Sequence, residues 1–187
     1  HRNSYKTTAV LVIGCIRWLY FFPNDTILIA RKAQTDANKI LFEITEHFKR
    51  DKLKAIFKEI YKQDEYISRS NSQVLNLTIH TKPSKESNVE TIGKGGSITG
   101  GHFDKVFGDD LITIKDRVSK AEREDTKNFI RELKNIPKTE GGTITITGTP
   151  WHKEDAYSII PKPDIYPIGS IDIKGFTKEK INDIKRF

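Results

Sequence analysis

Residues 105–112 read KVFGDDLI, a short apolar run that closes on two adjacent carboxylates, Asp109 and Asp110. The apolar part reads as a buried strand. Two acids at the tip of such a strand are costly unless something positive meets them. In an open α/β sheet that tip is where ligands bind, beyond the carboxyl ends of the strands. The plain alternative is a strand-to-helix turn with an aspartate as its N-cap. The segments on either side decide between the two.

Downstream, Ser119-x-x-Glu122 is a capping box, and Phe129, Ile130, Leu133 and Ile136 give the helix behind it one apolar face. GGTITITGTP at 141–150 reads as another buried strand with a glycine-proline exit. Upstream, TILIARK at 26–32 is a third, and VLNLTIHTK at 74–82 alternates as a strand should. The glycine-rich GKGGSITGG at 93–101 reads as a bend or hairpin. Ala37, Ile40, Leu41, Ile44 and Phe48 follow helical spacing, as do Leu53, Ile56, Phe57, Ile60 and Tyr61. Residues 7–22 read as a helix that is apolar on nearly every face, 164–175 as one more strand, and Thr177–Phe187 as a final helix or a linker. Strands alternating with helices predict an α/β fold, a mostly parallel sheet flanked by helices on both faces. No internal repeat is visible.

The bulk numbers bound the function. With 187 residues, 36% hydrophobic and 30% charged, the chain suits one domain with a real core and not a disordered segment. It contains no methionine and reads as a piece of a longer protein. A lone Cys15 excludes a disulfide framework and fits a reducing compartment, and the five scattered histidines lack zinc-site spacing. The longest apolar stretch, residues 9–22, is too short to span a bilayer and carries Arg17, so no membrane association is expected. A net charge of +7 suits a polyanionic partner, although surplus lysine also serves as a solvated surface. Lys49, Arg50, Lys52 and Lys54 cluster on one helical stretch, where a solvated face is the plainer account.

Three segments could share one chemistry. HRNSYKTT, at residues 1–8, places Lys6, Thr7 and Thr8 directly before an apolar helical run. A phosphate there would meet free backbone N–H groups and the positive end of the helix. Lys6 would reach the terminal phosphates and the Thr7 hydroxyl would ligate magnesium. Otherwise this is a helix N-terminus with a solvated lysine. At the second segment, Asp109 would hold Mg2+, which takes oxygen ligands and keeps several waters, while Asp110 would orient and deprotonate a water. At the third, Thr147-Gly148-Thr149 tips the ITITGT strand, where threonines can bond a γ-phosphate or its water. Each segment alone has an ordinary structural account; the order of the three is what joins them.

In this order and wording the chain resembles the ATPase domain of the large terminase subunit, the DNA-packaging motor of tailed bacteriophages. HRNSYKTT resembles that family's variant Walker A, PNDTILIARKAQTDANKIL its next strand and helix, GSITGGHFDKVFGDDLIT the approach to Walker B, and ITGTPWHKEDAYSII the coupling motif and its sequel. The resemblance runs from residue 1 to about 160 and implies a P-loop NTPase fold of the ASCE type. It implies that Ser4, Tyr5, Lys6, Thr7 and Thr8 bind ATP, that Thr7 and Asp109 hold Mg2+, and that Asp110 is catalytic. It further implies that Arg2 senses or stabilises the γ-phosphate, and that Thr147, Gly148 and Thr149 couple hydrolysis to movement. By the same resemblance residues 1–175 form the ATPase domain, without its first strand, and 176–187 lead toward a nuclease domain, so this chain should not cut DNA. The implied partners are double-stranded DNA, a homo-oligomeric ring of about five copies, the portal protein and the small terminase subunit. The implied location is the host cytoplasm, transiently on the procapsid portal, with a prophage as a possible source of the gene.

Two positions depart from the family pattern. Tyr5 stands where Walker A has glycine, and Asp110 where the catalytic residue is usually glutamate, one methylene longer. Two other readings stay open at this point. A superfamily 2 helicase core would spell D-E-x-[DH] and S-A-T where this chain has GDDLI and TGT. A decayed, non-hydrolysing remnant would bind only DNA or a capsid component.

Overall fold

The computed structural model describes residues 7–97 and 100–160. A wide π-helical stretch over Thr7–Val12 runs directly into α1 (Ile13–Phe21). There follow β1 (Ile27–Arg31), α2 (Gln34–Phe48), α3 (Asp51–Tyr61), β2 (Ile67–Ser70), β3 (Val74–Leu77) and β4 (Val89–Gly93). The described chain continues with β5 (Lys105–Asp109), α4 (Ile114–Val118), α5 (Lys120–Lys134), β6 (Thr143–Thr147) and a 3-10 turn at Ala156–Ile159.

The strands form one six-stranded sheet in the order β2-β3-β4-β1-β5-β6. β4, β1, β5 and β6 run parallel, whereas β3 is antiparallel to β4 and β2 antiparallel to β3. The expected α/β architecture is present, but the sheet is mixed: a parallel block of four strands carries an antiparallel pair on one side.

Both faces are covered because each central strand is apolar on both. In β1, Ile27 and Ile29 join one core with Leu41, Ile44 and Phe48 of α2, Phe57 of α3, and Cys15 and Leu19 of α1. Leu28 and Ala30, pointing the other way, join a second core with Phe129, Ile130 and Leu133 of α5. This double burial is the mark of a parallel strand with helices on either side. Phe57 organises the first core, with Tyr20, Phe48, Tyr61 and Tyr66 around its ring at centroid distances of 5.3–5.7 Å.

Several details differ from the sequence reading. The first turns of the helix expected over 7–22 are π-helical, and the strand expected over 74–82 ends at Leu77. Neither β2 nor β4 was anticipated, since ISRS and VETIG are too short and too polar to show a period. Gly93 ends β4, and the bend expected over 93–101 follows it, where the Gly96 N–H bonds the Gly93 carbonyl at 3.0 Å. A Cβ at Gly93 would sit 2.2 Å from the backbone nitrogen of Gln34, so the strand can pass the start of α2 only as glycine. Ser119 does cap α5, accepting from the Glu122 N–H at 3.3 Å. A fuller capping box lies just before it, where Thr113 caps α4 and donates from both N–H and hydroxyl to the buried Asp116. Residues 1–6, the strand expected at 164–175, the helix expected at 177–187 and the 176–187 linker lie outside the described residues.

The lower end of β5 is anchored by charge. Asp104 accepts from the Thr26 N–H at 2.8 Å, from the Thr26 hydroxyl at 2.9 Å and from Lys138 Nζ at 2.8 Å, tying the start of β5 to β1. Burial acts to raise its pKa, but the Lys138 and Thr26 donors outweigh this and hold the carboxyl below its ordinary value. Asp116 is held low against burial in the same way, by Thr126 and Thr113. With both folded values below the unfolded ones, the unfolded chain binds more protons in acid. Their stabilisation is therefore complete above about pH 4 and is lost as pH falls further. Urea midpoints measured from pH 7 down to pH 3 should fall below pH 4 in the wild type, and the fall should be shallower in Asp104→Asn.

Candidate functional site

The parallel register builds the site. Gly93, Arg31, Asp109 and Thr147, the last residues of β4, β1, β5 and β6, are paired in one row at the carboxyl end of the sheet. Paired residues of a parallel sheet emerge on one face, so a single row collects side chains far apart in sequence. Asp109 sits inside this row and is 1% exposed.

Its carboxylate is met on both oxygens. The Thr147 hydroxyl donates to Oδ1 at 2.6 Å and the Thr7 hydroxyl donates to Oδ2 at 2.9 Å. Arg31 Nη2 lies 3.1 Å from the same Oδ2, and its Nε donates to the Asp109 main-chain oxygen at 3.3 Å. The guanidinium also reaches Asp110 Oδ2 at 3.4 Å. An ionised carboxylate offers about four acceptor positions, and these donors occupy three of them. The Arg31 side chain is 14% exposed and that of Asp110 41%, so the site grades from dry at Asp109 to wet at Asp110.

Asp110 leaves the strand through a left-handed conformation, φ +46°, which aspartate tolerates better than most residues. Its N–H still bonds the Thr147 carbonyl at 3.1 Å, so the chain turns away without breaking from β6. That carbonyl also accepts from the Tyr157 hydroxyl at 3.2 Å. Burial, and then the charge of Asp110, push the Tyr157 pKa up, so this phenol stays a neutral donor. Gly148 leaves the space for it: a Cβ there would fall 1.5 Å from the Tyr157 oxygen.

The sequence-based expectations divide as follows. Thr7, Asp109 and Thr147 meet at one carboxylate, although Thr7 and Asp109 are 102 residues apart and Asp109 and Thr147 are 38 apart. Asp110 is at the rim of this group through Arg31. Thr8 is half-buried in the wide first turn, Gly148 is the contact with Tyr157, and Thr149 is exposed beyond the strand. Arg2, Ser4, Tyr5 and Lys6 lie outside the described residues. Arg31 and Tyr157 were missed. An arginine that closes an apolar run was the available signal for the first, since a buried guanidinium requires a carboxylate.

Among the described residues no three or more of His, Cys, Asp and Glu gather as a metal-binding group. The donor set around Asp109 is all oxygen and contains one fully buried carboxylate. That fits Mg2+, which is commonly held by one or two carboxylates with phosphate and water, and it does not fit a soft metal. No protein-family model matches the chain, and no curated protein matches it.

The contact between Gly148 and Tyr157 makes this rim sensitive to a single methyl group. Gly148→Ala should destabilise the fold by about 1–3 kcal/mol in urea denaturation, because the half-buried Tyr157 ring has to move. In a Tyr157→Leu background the same change should cost much less, and a double-mutant cycle measures the difference.

Proposed function

We propose that this chain is a magnesium-dependent ATPase domain of the P-loop class, and that it works as the motor of a viral DNA-packaging terminase. The observation that carries the reading is the meeting of Thr7, Asp109 and Thr147 on one desolvated carboxylate at the carboxyl ends of parallel strands. The first of these residues opens a helix, the second closes a buried strand and the third tips the neighbouring strand. This is the arrangement needed to hold a metal-bound triphosphate by position and charge.

In this reading Asp109 and Thr7 would hold a magnesium ion, which would supply charge stabilisation at the phosphates. Ser4, Tyr5, Lys6, Thr7 and Thr8 would bind the triphosphate, and Arg2 would sense or stabilise its γ-phosphate. Asp110 sits next to Asp109 but wetter, which suits a group that accepts a proton from an attacking water. Thr147 touches Asp109 directly and stands on the strand that continues to Gly148 and Thr149. Loss of the terminal phosphate would be felt at Thr149 and passed on through β6. The net charge of +7 supports sequence-independent contact with double-stranded DNA. A ring of copies on the portal, working with the small subunit, follows from the family resemblance alone.

The second reading, a non-hydrolysing remnant, draws on Tyr5 in the phosphate loop and on Arg31 against Asp109. Turnover separates the two. Phosphate release from ATP should require Mg2+ and fall at least about 100-fold in Lys6→Ala and in Asp109→Asn. Equal background rates in all three proteins would remove the motor reading, and retained binding of a fluorescent ATP analogue would then favour the remnant.

A further inference from the structure

The geometry points to Arg31 as an exchangeable counter-ion, which holds the Asp109 carboxylate while the site is empty and has to leave it before a divalent cation can bind. This inference rests on the reading of Asp109 as a magnesium ligand.

Three observations carry it. First, a carboxylate that is 1% exposed cannot rely on water, so its charge needs a partner in every state of the site. Among the described residues, Arg31 is the cationic side chain within ion-pair distance of Asp109. Second, Asp109 Oδ2 already accepts from the Thr7 hydroxyl at 2.9 Å and faces Arg31 Nη2 at 3.1 Å. The position still open on the carboxylate is on Oδ1, away from Thr7, so a cation shared between Asp109 and the Thr7 hydroxyl has to take Oδ2. An sp2 oxygen with two lone pairs admits it there only as the guanidinium leaves. Third, Arg31 has somewhere to go. It closes β1, its side chain is partly exposed, and Asp110 Oδ2 lies 3.4 Å away with a side chain that is 41% exposed. The same arginine can therefore slide from the dry carboxylate to the wet one without losing its charge partner.

An arrangement that was only structural would need no such second acceptor. One that exchanges keeps the empty site closed to free divalent ions. A metal then enters effectively when phosphates bring it and add their own negative charge. Arg31 is thus a positioning residue, acting on the metal through Asp109.

Mn2+ binding, followed by the loss of the free-ion electron paramagnetic resonance signal without nucleotide, tests this. Arg31→Gln should bind Mn2+ at least about 10-fold more tightly than the wild type, because a positive charge next to the ligand has gone. Arg31→Lys should stay near the wild type. Adding Asp109→Asn to Arg31→Gln should abolish the gain. A second measurement needs no destabilised variant. In the wild type, the Arg31 Nε–H resonance, assigned by its absence from Arg31→Lys, should move as Mg2+ is added, with the same midpoint as Mg2+ binding. Equal Mn2+ affinity in the wild type and Arg31→Gln, with binding still lowered by Asp109→Asn, overturns the counter-ion role and leaves the magnesium site standing. So does saturation with Mg2+ while the Arg31 resonance stays fixed. If Asp109→Asn changes no affinity in either background, or if Arg31→Gln binds no Mn2+, the metal-ligand reading of Asp109 falls and this inference falls with it.

Discussion

A carboxylate taken out of water has to be surrounded by donors, and Asp109 imposes that condition on the whole upper rim of the sheet. Its two oxygens draw in a hydroxyl from the first helix, a hydroxyl from the last described strand and a guanidinium from the strand beside it. None of these groups is near another in sequence. Remove the acid and the strand ladders and the apolar core still bring the three segments together, but their donors lose the one acceptor they share. Remove one of the donors and the acid is left short of partners, at a desolvation cost of about 1–3 kcal/mol or more.

The parallel block makes such an assembly possible. Strands in register bring their last residues to one line, and alternation decides which side chains share a face. Along β5 that face carries Lys105, Phe107 and Asp109, so the strand is charged at both ends and aromatic in the middle. Lys105 is itself buried. Its ammonium donates to the Thr143 and Thr145 hydroxyls at 3.1 and 2.8 Å and lies 5.1 Å from the ring centroids of Trp18 and Phe107. Burial lowers its pKa, as expected for a cation surrounded by rings and hydroxyls. The threonines of β6 therefore serve both ends of β5, through Thr143 and Thr145 at the bottom and Thr147 at the top. TITIT is polar on one face because that face answers to charge and apolar on the other because Ile144 and Ile146 pack on the second core.

Much of this could be read from the residues, and the limits have physical causes. KVFGD announces itself because burial on both faces leaves a nearly continuous apolar run, TITIT because its residues are all β-branched, and α2 and α3 because their apolar positions keep a helical period. β2 and β4 could not be read in this way, and β3 was read but carried too far, to residue 82. Four or five residues give no period, and their pairing partners lie across polar loops. The site was legible as three separate segments, but its row was not. Register is set by pairing between strands, so the placing of Arg31 opposite Asp109 is invisible until the sheet is assembled. Tyr157 was hidden for a related reason, since its target is a backbone carbonyl, which carries no residue identity.

The π-helical stretch at Thr7–Val12 has a consequence for aim. Its wider winding takes about one residue more per turn than an α-helix, so over that stretch the side chains drift by roughly 100° relative to a straight extension of α1. Leu11, Val12, Cys15 and Leu19 are all fully packed, which clamps the rotation of the downstream part. With that part locked, the direction of the Thr7 hydroxyl is set by the looseness of the winding ahead of it. Tightening those turns to ordinary α geometry would leave Cys15 and Leu19 in place, strain the packing of Leu11 and Val12 and swing the hydroxyl off the acid by roughly a quarter of a revolution.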